Sequence, residues 1–199
     1  MPGSVDHPMS FRSVVAVFAV MIVLAVGGGV LLHDMYSAAD GSAAAPDPPP
    51  VPVERDPEDR PGSGEVRLSG DAARHPERDA VRRVLQTYFD AINERDFDLW
   101  RSAVTSERLG TTEEDQWIED FRSTRDGDMY VHRIAPARDD RLRVLVSFTS
   151  TQDVEDAPAT LPEPCIHWWL ALPLAAGGDG DGWRIDAVSP GTPPLYEAC

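Results

Sequence analysis

Few residues in this chain have types and spacings that point to chemistry. His132 and His167 fall in stretches that alternate apolar and polar side chains. A strand histidine facing a cavity serves as a general base near neutral pH. The ordinary alternative is a hydrogen-bonded sheet histidine. By alternation His167 shares a face with Cys165 and Trp169, opposite Ile166 and Trp168. Cys165 and His167 offer two metal ligands with no third or fourth nearby in sequence, so no metal site is assigned. Asp186 stands close to Arg184. When exposed, such a pair contributes little. Asp153, Glu155, Asp156 and Glu163 form an acidic stretch that reads as a solvated loop, with contact to a cation or partner as the sharper alternative. Every basic residue besides histidine is arginine. Without lysine there is neither a Schiff-base amine nor a phosphate-binding P-loop.

Cys165 and Cys199 are the only cysteines. Two thiols without a CxxC motif do not build a structural zinc site. In an oxidising compartment an even count points to one disulfide, which would pin the tail to the sheet. Closing so long a loop contributes roughly 2–4 kcal/mol through the entropy of the unfolded chain.

These residues need elements to position them. Pro76 and Glu77 suit the first turn of a helix, and Val81, Val84, Leu85, Tyr88, Phe89 and Ile92 follow at helical spacing. Asn93–Asp96 breaks the pattern. Asp96 is placed to cap a second helix carrying Phe97, Trp100 and Val104. Thr112 with Asp115 resembles a capping box before a third helix holding Trp117, Ile118 and Phe121. After Asp126-Gly127 the period changes to two. Strands are predicted over 129–134, 141–149, 165–174 and 183–188, with Leu142, Val144, Val146 and Phe148 on one face. Gly177–Gly182 reads as a turn, and the Pro-rich tail to Cys199 has no strand pattern. Helices followed by an antiparallel run of strands make an α+β domain.

Upstream, Val14–Leu32 contains no charged residue. That is close to the ~20 apolar residues needed to cross a bilayer. The reading is residues 1–12 in the cytoplasm, a transmembrane helix over 13–33, a disordered Pro/Ala/Asp-rich linker over 34–75, and an extracytoplasmic domain over 76–199. Arg12 before the segment sets this orientation by the positive-inside rule. Ser37-Ala38-Ala39 leaves signal-peptide cleavage as the alternative. Gly27-Gly28-Gly29 permits close helix packing without requiring it. The net charge is -16. Through residue 75 there are 5 arginines and 10 acids, giving -5; beyond it 13 arginines and 24 acids give -11. So acidic a domain argues against nucleic acid as a partner, and equally against anionic lipid headgroups.

The order of elements resembles the nuclear-transport-factor-2-like superfamily. The local match is Tyr88-Phe89-Asp90-Ala91-Ile92-Asn93-Glu94-Arg95-Asp96, at the end of the first helix. Asp181-Gly182-Trp183-Arg184-Ile185-Asp186 looks like its last hairpin and strand. The resemblance covers roughly residues 76–190 and implies a cone, with three N-terminal helices on a curved antiparallel sheet. Ketosteroid isomerase, SnoaL-type polyketide cyclases and scytalone dehydratase share it as enzymes. Mce-associated membrane proteins and type IV secretion assembly proteins share it behind one membrane helix, as accessory proteins. The resemblance puts Tyr88 where ketosteroid isomerase has an oxyanion-stabilising tyrosine, but the Asp-Pro base is absent from Thr105-Ser106-Glu107-Arg108-Leu109-Gly110. Epoxide-hydrolysing members would make Asp186 and Arg184 a water-activating pair. Tyr88, His132, His167 and Asp186 are thus catalytic candidates without a complete set.

The expectation is a membrane-anchored, non-enzymatic accessory or binding domain without cofactor. It would scaffold an envelope complex through a protein partner and touch the bilayer only through its anchor. The alternative is an isomerase- or dehydratase-like enzyme, or a ligand carrier using the cone.

Overall fold

A computed structural model describes residues 55–110, 112–177, 182–188 and 193–199. The predicted cytoplasmic stretch, membrane helix and first part of the linker lie outside these residues, as does most of the Gly177–Gly182 turn. Among the described residues no helix is long and apolar enough to cross a membrane.

Helix α1, Arg78–Glu94, buries Val81, Val84, Leu85, Phe89, Ala91 and Ile92, the stripe its spacing requires. Arg95 closes it in the left-handed region at φ 59°. Asp96 then accepts from the Leu99 backbone N–H at 2.8 Å and starts α2, Phe97–Ala103. A short α3, Ser106–Leu109, is capped by Thr105 and is absent from the sequence reading. Helix α4, Glu114–Asp120, begins after Glu113 with no side-chain cap, so the Thr112–Asp115 capping box is not used. Its Trp117 is buried against Phe97, Trp100 and Phe121.

The domain is α+β, with a curved sheet in the order β1-β2-β3-β4-β5 and β6 paired to β4. The strands are β1 (Arg67–Leu68), β2 (Arg125–Pro136), β3 (Leu142–Thr151), β4 (Cys165–Ala176), β5 (Trp183–Ile185) and β6 (Leu195–Ala198). The sheet is mixed rather than purely antiparallel, because β1 runs parallel to β2. Two register shifts in β2 bend it, a device that strengthens local twist. Asp126-Gly127 lies inside β2 rather than before it. The tail that lacked a strand pattern forms β6, because its pairing with Ile166–Trp169 needs backbone groups rather than an apolar alternation.

The packed part also begins earlier than Pro76. Residues 55–75 contain two buried apolar side chains, Val66 and Ala72. Arg55 pairs with Asp128 at 2.6 Å. Asp128 donates its backbone N–H to the Ser63 carbonyl at 2.7 Å, and Ser69 Oγ donates to the His132 carbonyl at 2.6 Å. The strap needs glycine where it crosses β2: a Cβ on Gly127 would stand 2.7 Å from the Pro61 carbonyl oxygen. Composition marked this segment as linker because its few apolar residues are not periodic; specific polar bonds hold it instead. At the other terminus a Cys165–Cys199 disulfide fastens the last residue to β4.

Candidate functional site

The four residues singled out for chemistry stand in separate places. Tyr88, on α1, is half-buried, and its hydroxyl accepts from Arg108 Nη2 at 3.2 Å. The same guanidinium lies 5.7 Å from the Tyr88 ring centroid. His132 and His167 sit on the opposite side of the sheet. His132 Nε2 meets Ser147 Oγ at 2.7 Å, and His167 Nδ1 meets Thr149 Oγ1 at 2.9 Å. Ser147 and Thr149 share the outer face of β3, which alternates with the core positions Val144 and Val146. Burial pushes both histidines below the ordinary imidazole value, and for His167 the Glu197 carboxylate opposes it. Each is a sheet histidine bonded to a neighbouring hydroxyl.

Asp186 lies past the end of β5, only 2% exposed. It accepts from Thr105 Oγ1 at 2.7 Å and pairs with Arg141, not with Arg184. Arg184 instead donates to the Ser102 carbonyl at 2.9 Å. The aspartate therefore ties the α2–α3 junction to the sheet, with a hydroxyl on one oxygen and a guanidinium on the other. Cys165 is not a ligand beside His167, since its sulfur is in the disulfide. Among the described residues no group of three or more His, Cys, Asp or Glu side chains is arranged to hold a metal. The acidic loop is engaged as well: Arg122 bonds Asp156 at 2.6 Å and Glu155 at 2.8 Å.

Two features escaped sequence reasoning. The first is Asp126, which is 5% exposed and accepts from Ser150. Asn93 holds its backbone from α1, accepting its N–H at 2.7 Å and donating to its carbonyl at 3.0 Å. Burial raises this carboxyl to about 7. A pKa near neutrality suits a general base, but this group faces a serine inside the core. It precedes the predicted strand over 129–134 and carries no apolar pattern to mark it.

The second is an aromatic row crossing the core-facing side of the sheet. Phe148 and Trp168 are register partners on β3 and β4, stacked 6.3 Å apart at 16°. Phe89 of α1 meets Phe148 at 5.0 Å, and Tyr88 meets Phe89 at 5.4 Å. Beyond Trp168, Tyr196 of β6 stands at 5.0 Å with its hydroxyl 2.8 Å from Thr160 Oγ1. Tyr88, Phe148, Trp168 and Tyr196 are all half-buried, whereas their neighbour Phe89 is buried. Near the Tyr88 end, Arg108 Nε is buried without a hydrogen-bond partner among the described residues. The alternation of β3 and β4 signalled the inward face of Phe148 and Trp168, but Tyr196 lay in a tail without pattern.

No protein-family model, curated protein or solved structure matches this chain.

Proposed function

We propose that this chain is a non-catalytic binding domain, held outside the cytoplasm by its N-terminal apolar segment, with the aromatic row as its binding face. The observation that carries the reading is the row itself. Half-buried Phe148, Trp168 and Tyr196 of β3, β4 and β6 make an apolar surface, joined through buried Phe89 to half-buried Tyr88 of α1 and its neighbouring guanidinium. Such a surface fits an elongated apolar molecule or segment with an oxygen acceptor near Arg108. The separation of Tyr88, His132, His167 and Asp186 supports binding over catalysis. The order of helices before a curved sheet supports a nuclear-transport-factor-2-like cone and, with the anchor, an accessory role in an envelope complex.

One observation favours the enzyme reading: Asp126 holds its proton to about 7. That reading requires a substrate to reach a carboxyl that is 5% exposed.

The test uses anilinonaphthalene sulfonate, an aromatic body with one anionic group. The expected result is saturable binding to the folded domain. Trp168→Ala and Tyr196→Ala each weaken it about tenfold, the effect of losing roughly 1.4 kcal/mol of aromatic contact. Affinity unchanged in both variants would remove the row as the binding face.

A further inference from the structure

The sheet sorts its charges by side. Cross-strand partners share a face, so the pairs Arg67–Tyr130, Arg125–Thr151, Arg133–Leu145 and Arg143–Ala135 put four arginines on the outer face, away from α1. All four are exposed. The strand carboxylates on that face are Asp128 and Glu197, and the strap that crosses it at Gly127 adds exposed Asp56, Glu58 and Asp59. Asp128 is held by Arg55 at 2.6 Å and reached by Arg67 at 3.6 Å. Strands β3 and β4 contain no acidic residue at all. Between the arginines lie half-buried Tyr130 and Trp169, Leu145 at 40% exposure and, on β6, Leu195 at 68%. A chain of net charge -16 thus carries, at the Arg133 and Arg143 end of this face, arginines with no acidic strand residue beside them and apolar side chains standing out.

We propose that this outer face, centred on Arg133, Arg143 and Leu145, docks on a bilayer surface of anionic lipid headgroups. Guanidinium groups meet headgroup phosphates, and the leucines and Trp169 enter the boundary below them. Screening confines electrostatics to about 10 Å at ordinary salt, so the nearest face decides the attraction, not the net charge. The acidic remainder turns the domain so that this face points at the lipid. The strap brings Arg55, where the chain arrives from the apolar segment, to Asp128 on the same face. To that extent the proposal rests on the anchored reading. A second copy is the poorer occupant, because a two-fold pairing of this face sets arginine against arginine.

Asp47–Cys199 is a compact unit that contains the whole described core, so it serves as the soluble protein for the test. It is sedimented with vesicles of phosphatidylcholine alone and with vesicles of phosphatidylcholine and phosphatidylglycerol in equal parts. The expected result is binding to the mixed vesicles only, weakening as salt rises. Arg133→Ser with Arg143→Ser lowers the partition about tenfold or more, at about 1 kcal/mol per arginine near the surface. Leu195→Ser, at an exposed position, lowers it without changing the salt dependence. Circular dichroism confirms that the variants are folded. Absence of binding to mixed vesicles, binding that ignores the arginine substitutions, binding to duplex DNA in place of vesicles, or a stable dimer in solution through this face each overturns the proposal. The full chain's behaviour in membrane fractions tests the anchor separately, since Asp47–Cys199 lacks it.

Discussion

Asp126 is a carboxyl that the fold keeps out of water with one hydroxyl to serve it. Its value rises from 3.8 to about 7 because burial disfavours the charged form more than the Ser150 bond favours it. The sign of the linkage follows. Below 3.8 both folded and unfolded chains hold the proton, and the group makes no difference. Between there and about 7 the unfolded chain releases it while the folded one keeps it, so stability falls as pH rises; above that the deficit is constant. Asn has the shape of the protonated acid and carries no charge. Asp126→Asn should therefore melt with the wild type in acid and above it at pH 8, a difference of up to about 4 kcal/mol. His132 and His167 act in the other direction, since their lowered values favour unfolding as the pH drops. The variant-minus-wild-type difference removes their contribution. Parallel melting curves across the whole pH range would show that Asp126 is ionised in the fold.

At the scale of elements, the strap tests where the domain begins. β1 adds a parallel edge to β2, Val66 and Ala72 enter the core, and Gln86 on α1 accepts the Val66 N–H at 2.9 Å. A chain beginning at Pro76 loses all of this and leaves one flank of α1 and β2 uncovered. It should be less stable than Asp47–Cys199 by about 3 kcal/mol or more, the scale of removing a buried valine with its neighbours. Urea denaturation followed by tryptophan fluorescence measures the difference. Equal midpoints would return residues 55–75 to the role of linker. The helices and central strands were legible because burial imposes a period: α1 from Val81 to Ile92, β3 from Leu142 to Phe148. The strap, α3 and β6 were not, since a capping hydroxyl at Thr105, an ion pair at Arg55 and backbone pairing to Ile166–Trp169 leave no period to read. The site was less legible still. Sequence proximity put Asp186 with Arg184, whereas the turn just before β3 delivers Arg141. Asp126 stood just before the stretch where the period of two begins, outside any apolar pattern.

For the whole molecule, the domain and the N-terminal segment have opposite solvation needs. Asp47–Cys199 closes around its own core. Val14–Leu32 has no charge and no polar face to turn towards water. A stretch of that length and composition is stable with its backbone bonded inside a helix in hydrocarbon. The full chain should accordingly stay with the membrane fraction through high salt and alkaline carbonate, while Asp47–Cys199 is released. Replacing Val20, Ile22 and Leu24 with Asp costs about 2.5 kcal/mol or more at each central position and should free the full chain. Release of the unaltered chain by salt alone would leave only a peripheral attachment, and retention of the triple variant would move the attachment elsewhere. The compartment has its test in the same molecule. Cys199 is the last residue and β6 is fastened through it, so protein recovered from an oxidising compartment should resist a thiol-reactive label at both cysteines until reduced. Labelling without reductant would place the domain on the reducing side and reverse the orientation drawn from Arg12.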